Sequence, residues 1–484
     1  MVLSLKEKTA KGLLWGGLSN GIQQLLNLFF GIFLARKLTP DDYGMVGMLT
    51  IFSLVAASLQ ESGFTTALAN KKVIQHKDYN AVFWFNLGLS VTIYIILFFA
   101  APYIADFYNE PELEILARYS FLSFVISSLG TAQNAYLFCN LMTKQKGIAI
   151  ILGIFVSGIT GVCLAYNGYA YWGIATQNLT YVTVITLCYW YFSPWRPTFH
   201  FDFSPLKSMF SFSNRILLTN IFSHINNNFL SVVLGKFYTD AAVGYFNQAN
   251  KWNYMGHQLI TGMVSGVAQP VLVQVSDDRE RQLRVFRKML RFTSFLSFPA
   301  MLGLSLTAPE IIVIAITDKW SESVWMLQIL CVSGAFIPLV YLFSSLVLSK
   351  GKSYIYMWNT IVQSLVQLAL MLLFADYGIY TMVVVYVSVH ISWLFVWYCL
   401  VRHEIGLSFW NMIKDIFPFA IMALLVMFSV YNLTVEIENI YVRLVAKIFC
   451  AVLLYAGLMA ILGGQTFKEC MGYIFKRGKK LVNN

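Results

Sequence analysis

The chain has 484 residues, of which 58% are hydrophobic and only 12% are charged, and its mean hydropathy is +0.64. Soluble domains carry about twice this charged fraction, so the composition excludes an ordinary soluble protein and indicates a polytopic membrane protein. The net charge of +11 is interpreted as a signal of membrane orientation rather than of nucleic-acid binding, because the cations fall mainly in alternate connections.

Apolar stretches of about twenty residues predict fourteen transmembrane helices. In chain order these stretches are 12–35, 43–66, 81–105, 115–139, 147–166, 170–192, 212–235, 243–270, 288–308, 324–348, 354–375, 379–401, 413–433 and 441–463. They are too long and too continuous for the alternating strands of a barrel, so we predict an all-α membrane protein.

The first predicted hairpin has a second copy two hundred residues further along the chain. The matching pairs are Asn20 and Asn220, Asn27 and Asn227, Arg36 and Lys236, Thr39 and Thr239, and Gly44 and Gly244. Internal repeats of this kind are typical of carriers. We therefore predict two pseudo-symmetric six-helix lobes, residues 1–200 and 201–404, followed by two further helices and a basic tail in residues 405–484.

Charges in the connections predict the orientation of the chain. Most of the 34 Lys and Arg residues lie on the same side as the two ends, whereas the opposite connections around 106–114 and 436–438 are acidic. By the positive-inside rule, both termini are expected in the cytoplasm. The charged stretch 277–291 fits either an amphipathic helix on anionic lipid or the orientation signal alone.

Polar residues inside four predicted spans fall on single helical faces. They are Asn20, Gln23, Gln24, Asn27 and Gly31; Asn220, His224, Asn227, Asn228 and Ser231; Asn247, Lys251, Tyr254 and Gln258; and Asn359, Gln363 and Gln367. Each amide either lines a polar path between the two bundles or joins helices by a hydrogen bond. For the faces taken together, we expect cavity lining, because polar groups in a membrane normally face a cavity or a partner.

Three charged residues in the predicted spans suggest more specific roles. Arg215 and Lys251 suit the binding of an anionic head group, since Arg pairs with phosphate through two hydrogen bonds. Arg215 is also near enough to the inner interface to snorkel. Glu61 fits either an ion-coupling site or a salt-bridge latch to an inner cation.

The sequence contains no catalytic, phosphate-binding or metal-ligand motif. We therefore expect a transporter rather than an enzyme, with no cofactor and no metal. Its energy would come from an ion gradient, of protons or of sodium, from the gradient of the substrate itself or from removal of the product.

A series of motifs carries a resemblance to a known family. These are residues 34–44, 61–68, 83–86, 101–113 and 195–197 in the first half, and 234–237, 244–245, 269–270 and 308–309 in the second. Their order and spacing resemble the bacterial polysaccharide flippases of the exopolysaccharide and colanic-acid exporter type. That group belongs to the multidrug/oligosaccharidyl-lipid/polysaccharide (MOP) exporter superfamily, and the resemblance covers about residues 10–350.

The resemblance implies a MATE-like fold with twelve core helices in two lobes and two extra helices. It also implies that undecaprenyl-diphosphate-linked oligosaccharide is turned from the inner to the outer leaflet of the bacterial cytoplasmic membrane by alternating access. The product would be O-antigen, capsule or exopolysaccharide, with glycosyltransferases and a polysaccharide polymerase as partners. We expect the chain to contact membrane lipids, to work as a monomer and to bind no nucleic acid.

The chain departs from the family pattern in the seventh span. Many members carry an Asp where this chain has three consecutive Asn residues, 226–228. That departure leaves Glu61 as the main acidic candidate for ion coupling. Two alternatives stay open: an ion-coupled multidrug exporter of the same superfamily, whose cationic substrates favour acidic residues, and a membrane glycosyltransferase or polymerase, which needs a large outer loop.

Overall fold

The protein is described by a computed structural model. Its backbone is described at residues 5–61, 68, 74–140 and 142–462, and its side chains at the same residues except 5–18, 60–61, 207–216, 266, 270 and 462. The long helices are α1 Leu5–Lys37, α2 Pro40–Glu61, α3 His76–Tyr108, α4 Glu112–Cys139, α5 Thr143–Tyr166, α6 Ala170–Phe192, α7 Ser204–Phe237, α8 Asp240–Gln274, α9 Arg279–Ile316, α10 Glu322–Ser349, α11 Ser353–Leu373, α12 Ile379–Ile405, α13 Phe409–Thr434 and α14 Ile440–Leu462.

Helix is the regular structure throughout the described residues, which confirms the predicted all-α membrane fold. Every predicted span corresponds to one long helix, and ten of these are long and apolar enough to cross a membrane. Over their described residues, α1, α6, α7 and α8 are more polar, and three of these four carry a predicted polar face. The chain is a multi-span membrane protein, and a total of fourteen spans stays a prediction.

The helices pack in two compact units. The first comprises Met1–Gly244 with Thr360–Leu372, and the second comprises Tyr245–Asn359 with Leu373–Asn484. In the first unit α3 packs on α4, α5 on α1 and α6, and α7 on α2 and α3. In the second unit α9 is central, since it contacts α10, α13 and α14.

The repeat in the sequence is reproduced by the helix boundaries. Helix α1 ends at Lys37 and α7 at Phe237, while α2 begins at Pro40 and α8 at Asp240. A threonine precedes each new helix: the Asp42 amide donates to Thr39 Oγ1 (3.3 Å) and the Ala242 amide to Thr239 Oγ1 (3.2 Å). Each hydroxyl thus caps amide groups that the first turn leaves unpaired.

Two glycines allow the duplicated helices to cross inside the first unit. A Cβ placed on Gly44 of α2 would overlap the carbonyl of Asp240, and one placed on Gly244 of α8 would overlap the carbonyl of Pro40. Only glycine fits at such a contact, because any other side chain would push the two backbones apart. The pairs Gly44–Asp240 and Pro40–Gly244 are related by the repeat itself.

Helix α9 is longer than its apolar segment. It has 38 residues, begins at a cap in which the Arg281 amide donates to Asp278 Oδ1 (2.9 Å), and continues through Pro299 and Pro309. At 1.5 Å per residue it is about 57 Å long, against roughly 30 Å for a bilayer core. The charged stretch 277–291 is therefore mostly the first turns of α9 and not a separate interfacial helix.

Candidate functional site

The polar face of α8 turns away from the packed side of its own helix. Lys251 and Tyr254 are exposed, Tyr254 at 52%, whereas Asn253 and His257 on the opposite side are buried. The other two predicted members of the face, Asn247 and Gln258, are half-buried. Lys251 is therefore an exposed cation within the predicted span, where a charge facing lipid would cost roughly 3 kcal/mol.

Helix α1 separates polar and packed sides in the same way. Asn20, Gln24 and Asn27 are exposed, while Phe30 and Leu34 are buried. The packed side contacts α5. The side chains of Gln24 and Asn27 thus lie on the exposed side of α1.

Helix α7 carries the second copy of this amide face. Asn220 and Asn227 are exposed and His224 is half-buried. Asn226 is buried, and its carbonyl accepts a hydrogen bond from Gln367 Nε2 (2.9 Å) in α11. This helix contact is made by the Asn226 backbone, and the Asn226 side-chain Oδ1 is buried without a hydrogen-bond partner, whereas Asn227 is exposed.

Of the three predicted residues in α11, Asn359 and Gln367 take part in helix contacts. Asn359 is buried, and its Oδ1 accepts a hydrogen bond from Trp393 Nε1 (3.1 Å) in α12. Gln363 is half-buried. The structure therefore gives Asn359 a partner in the protein, whereas Gln363 retains some exposed surface.

Two predicted site residues lie outside the described side chains. Arg215 lies within α7 and Glu61 is the last residue of α2, but their side chains are among those that the structure does not describe. Their proposed roles as phosphate ligand and as gate or coupling site stay predictions.

A buried ion cluster in the second unit was not predicted from the sequence. Glu310 of α9 is 1% exposed and contacts two cations of α14: Lys447 Nζ at 2.7 Å and Arg443 Nε at 2.8 Å from Glu310 Oε1. Lys447 also donates to the carbonyl of Leu306 (3.0 Å). The ninth predicted span ended at residue 308, before Glu310, so this acid was not expected to lie in a helix.

A second ion cluster joins α9 to α13 near the start of α9. Arg287 donates to both oxygens of the buried Asp415, at 2.6 and 3.1 Å, and Arg291 lies 3.7 Å from the same carboxylate. The two clusters together join the last two helices to α9 at both of its ends.

An apolar cavity of about 530 Å³ lies where α9, α13 and α14 meet. Its lining includes Phe295, Pro299, Met427 and Val452, with Lys447 as its charged member. The size and chemistry suit a hydrocarbon chain better than a polar ligand. Among the described residues, no group of three or more His, Cys, Asp and Glu side chains is arranged to hold a metal ion.

Comparison with known proteins gives consistent results for sequence and fold. A model of the family described as "Polysaccharide biosynthesis protein" matches residues 33–325. The lipopolysaccharide biosynthesis protein WzxC of Escherichia coli K12 is 25% identical over 356 residues, which cover 72% of each chain.

Two solved structures share the fold. The lipid II flippase MurJ in an inward closed conformation superposes with a TM-score of 0.76 at 17% identity, over 93% of this chain and 98% of MurJ. An inward-facing MATE family transporter of the MOP superfamily gives 0.63 at 17% identity, over 80% and 96% of the two chains. These matches confirm the predicted MATE-like, MOP-type fold.

Proposed function

The chain belongs to the polysaccharide biosynthesis protein family, and on that premise we propose that it flips lipid-linked oligosaccharide across the membrane for surface polysaccharide assembly. The substrate would be an undecaprenyl-diphosphate-linked repeat unit, taken from the inner leaflet and released into the outer leaflet by alternating access. We propose the bacterial cytoplasmic membrane as its location, with both termini in the cytoplasm. No chemical step is required of the protein.

The exposed cation of α8 is the observation that carries the proposal. Lys251 lies about 17 Å along α8 from its first residue, well inside the predicted span. A carrier of small apolar compounds has no use for an exposed ammonium there, whereas a diphosphate would pair with it. Arg215 of α7 is proposed as a second phosphate ligand.

The amide faces of α1 and α7 suit the sugar part of such a substrate. Asn27 and Gln24 on α1, and Asn220 and Asn227 on α7, each offer one acceptor and two donors. His224, Asn247, Tyr254, Gln258 and Gln363 would add further polar contacts. Neutral amides bind sugar hydroxyls without selecting one sugar composition. These residues therefore support the substrate class and not a particular sugar.

The apolar cavity beside α13 and α14 suits the lipid part. Its lining is almost wholly hydrocarbon, so a polyprenyl chain would lose no hydrogen bond on entering it. We propose that part of the chain rests there while the head group is carried.

Multidrug export is the weaker alternative. Export of cationic drugs favours unpaired acidic residues, but the buried acids Glu310 and Asp415 are already paired with Lys and Arg.

We also propose that the transport cycle of the flippase is coupled to protons or sodium. Glu61 would be the gate or coupling residue. Glycosyltransferases and a polymerase would supply and consume the substrate, and the monomer would be the working unit.

Substitution of the two proposed phosphate ligands tests the function. In a host deleted for its own copy of the gene, Lys251→Ala and Arg215→Ala should abolish surface polysaccharide while the protein still reaches the membrane. Lys251→Arg should keep part of the activity, since it keeps the charge. Lys414→Ala, an exposed cation of α13 outside the polar faces, is the matched control. Normal polysaccharide from both alanine variants would exclude the proposed phosphate site.

A further inference from the structure

The crossing of the duplicated hairpins has the features of a separable closure. We call residues 40–44 of α2 and 240–244 of α8 the outer junction, since both segments lie on the predicted outer side. Its contact includes two glycines that each lie against a carbonyl of the other helix, so at these two points the helices meet through backbone. At these two points the helices can part without a side chain being withdrawn from a pocket.

The junction also brings carboxylates together. Asp240 is the first residue of α8, Asp41 belongs to the first turn of α2, and Glu110 lies in the short connection between α3 and α4. Both Asp41 and Glu110 act on Asp240 as like charges. Closing the outer junction therefore places negative charges close to one another, and this is unfavourable unless one of them is neutralised.

Three further charged groups of the surrounding elements are engaged locally. The Asp42 carboxylate accepts from the amide and the hydroxyl of Thr39, both at 2.8 Å. Lys236 at the end of α7 donates to the Phe107 carbonyl (2.6 Å) and lies over the Phe107 ring. Glu112 at the start of α4 accepts from the Tyr171 hydroxyl (2.6 Å).

We propose that the outer junction is a pH-sensitive closure of the outer face, which is held shut when Asp240 binds a proton. Neutral Asp240 removes the repulsion from Asp41 and Glu110 while the glycine contacts stay in place. Charged Asp240 favours separation of α2 and α8, because both helix starts then return to water.

The direction of the pH effect follows from the Asp240 carboxyl. Burial, followed by the nearby charges of Glu110 and Asp41, raises the pKa of Asp240 from 3.8 to about 6 in the closed junction. In the parted junction the pKa returns towards its ordinary value. Between these two values the closed form binds more protons than the open one, so acidification from pH 7 towards pH 4 favours closure. The effect is at most about tenfold per pH unit and vanishes above and below that window.

This closure would give the transport cycle a direction, a consequence that rests on the proposed function. An outer medium more acidic than the cytoplasm would return the empty carrier to the form closed on the outside. The coupling proton would then act at the outer junction, away from the substrate face. The closure itself requires no substrate, so it can be tested even if the substrate class is wrong.

A distance measurement on the full chain tests the closure directly. The protein is placed in nanodiscs of phosphatidylethanolamine and phosphatidylglycerol without substrate, with spin labels on non-canonical residues at Lys37 and Phe237. These exposed positions end α1 and α7 just before the two capping threonines. We expect the short-distance population to grow as the pH falls from 7.5 to 4.5.

Two kinds of variant separate charge from shape. Asp240→Asn should favour the short distance at every pH and abolish the pH response, whereas Asp318→Asn, an exposed acid elsewhere on the outer side, should leave the response intact. Gly44→Ala and Gly244→Ala should lengthen the distance at every pH. Gly262→Ala lies on α8 with open space around its Cβ and should behave as the parent.

The proposal is overturned by either of two results. One is a wild-type pH response in Asp240→Asn, and the other is an unchanged distance distribution in both glycine variants that elute as folded protein. Loss of transport in Lys251→Ala leaves these distances untouched, so a failed closure and a failed substrate assignment are told apart.

Discussion

At the scale of single residues, the structure separates polar groups that hold helices together from polar groups left open to a ligand. Periodicity placed Asn227, Lys251 and Asn359 on polar faces, but it could not show which of them a neighbouring helix would cover. Asn359 bonds to Trp393 in α12, while Asn227 and Lys251 are exposed. Whether a neighbouring helix covers a polar side chain depends on contacts between segments distant in the chain. The periodicity of a single sequence does not show those contacts.

Asn359 and Asn27 should therefore respond differently to substitution. We expect Asn359→Ala to lower the stability of the purified protein by about 1 kcal/mol, because it leaves the Trp393 indole without its acceptor. Asn27→Ala should leave thermal unfolding unchanged and reduce polysaccharide export. Thermal unfolding in detergent and an export assay on the same pair of variants check this. An equal loss of stability in both would contradict the distinction.

The buried pair of Glu310 and Lys447 leads to a second expectation. Lys447→Met should destabilise the protein by about 3 kcal/mol, since it leaves a buried carboxylate short of one partner. Adding Glu310→Gln should restore part of the loss, because no uncompensated charge then remains. Arg443→Met, which removes a more exposed partner, should have the smaller effect in the same thermal unfolding measurement.

At the scale of elements, apolar runs located the helices well but misjudged where several of them end. Residues 288–308 were predicted as one span, whereas α9 runs from Arg279 to Ile316. The extra turns carry charge, and they remain helical because Asp278 caps the start and Asp415 pairs with Arg287. Hydropathy reports the lipid-facing length of a helix and not the turns that continue beyond it.

Removing the pairing between α9 and α13 should loosen the last two helices selectively. We expect Asp415→Asn to raise amide hydrogen exchange in α13 and α14 while leaving α10 protected, because α10 packs on α9 independently of that carboxylate. Ser429→Ala, an exposed residue of α13 with only a local hydrogen bond, is the control. Uniform exchange across the second unit would argue that these helices do not open separately.

At the scale of the whole molecule, the fold was largely predictable from the sequence, because few backbone structures are stable in a lipid bilayer. A backbone in a bilayer must satisfy its own hydrogen bonds, so long apolar runs become helices. The repeat then predicted equivalent lobes; α1 and α7 end two hundred residues apart, as the repeat requires, while the bounds of the lobes stay a prediction. The candidate site was less predictable, since periodicity does not show which polar side chains a neighbouring helix covers, as Asn359 illustrates.

Reporter fusions test the proposed orientation of the chain. A periplasm-active phosphatase joined after Glu438, in the connection between α13 and α14, should be active. The same reporter after Lys146 or in the basic tail after Lys468 should be inactive, because those segments carry the cations that stay inside. A fluorescent protein that folds only in the cytoplasm should give the opposite pattern, and agreement between the two reporters at any one site would contradict the topology.

The reciprocal glycine contact also limits how the two halves of the gene can diverge. Inserting one residue into the first turn of α2 would turn Gly44 by about 100° around its helix axis, so a side chain would then face the Asp240 carbonyl. Later connections have no such restriction: α3 ends at Tyr108 and α9 at Ile316, so the spacing of two hundred residues is already lost there. Insertions and deletions are thus permitted after the first hairpin of each copy. Inside that hairpin, a change of length in one copy requires a matching change in the other.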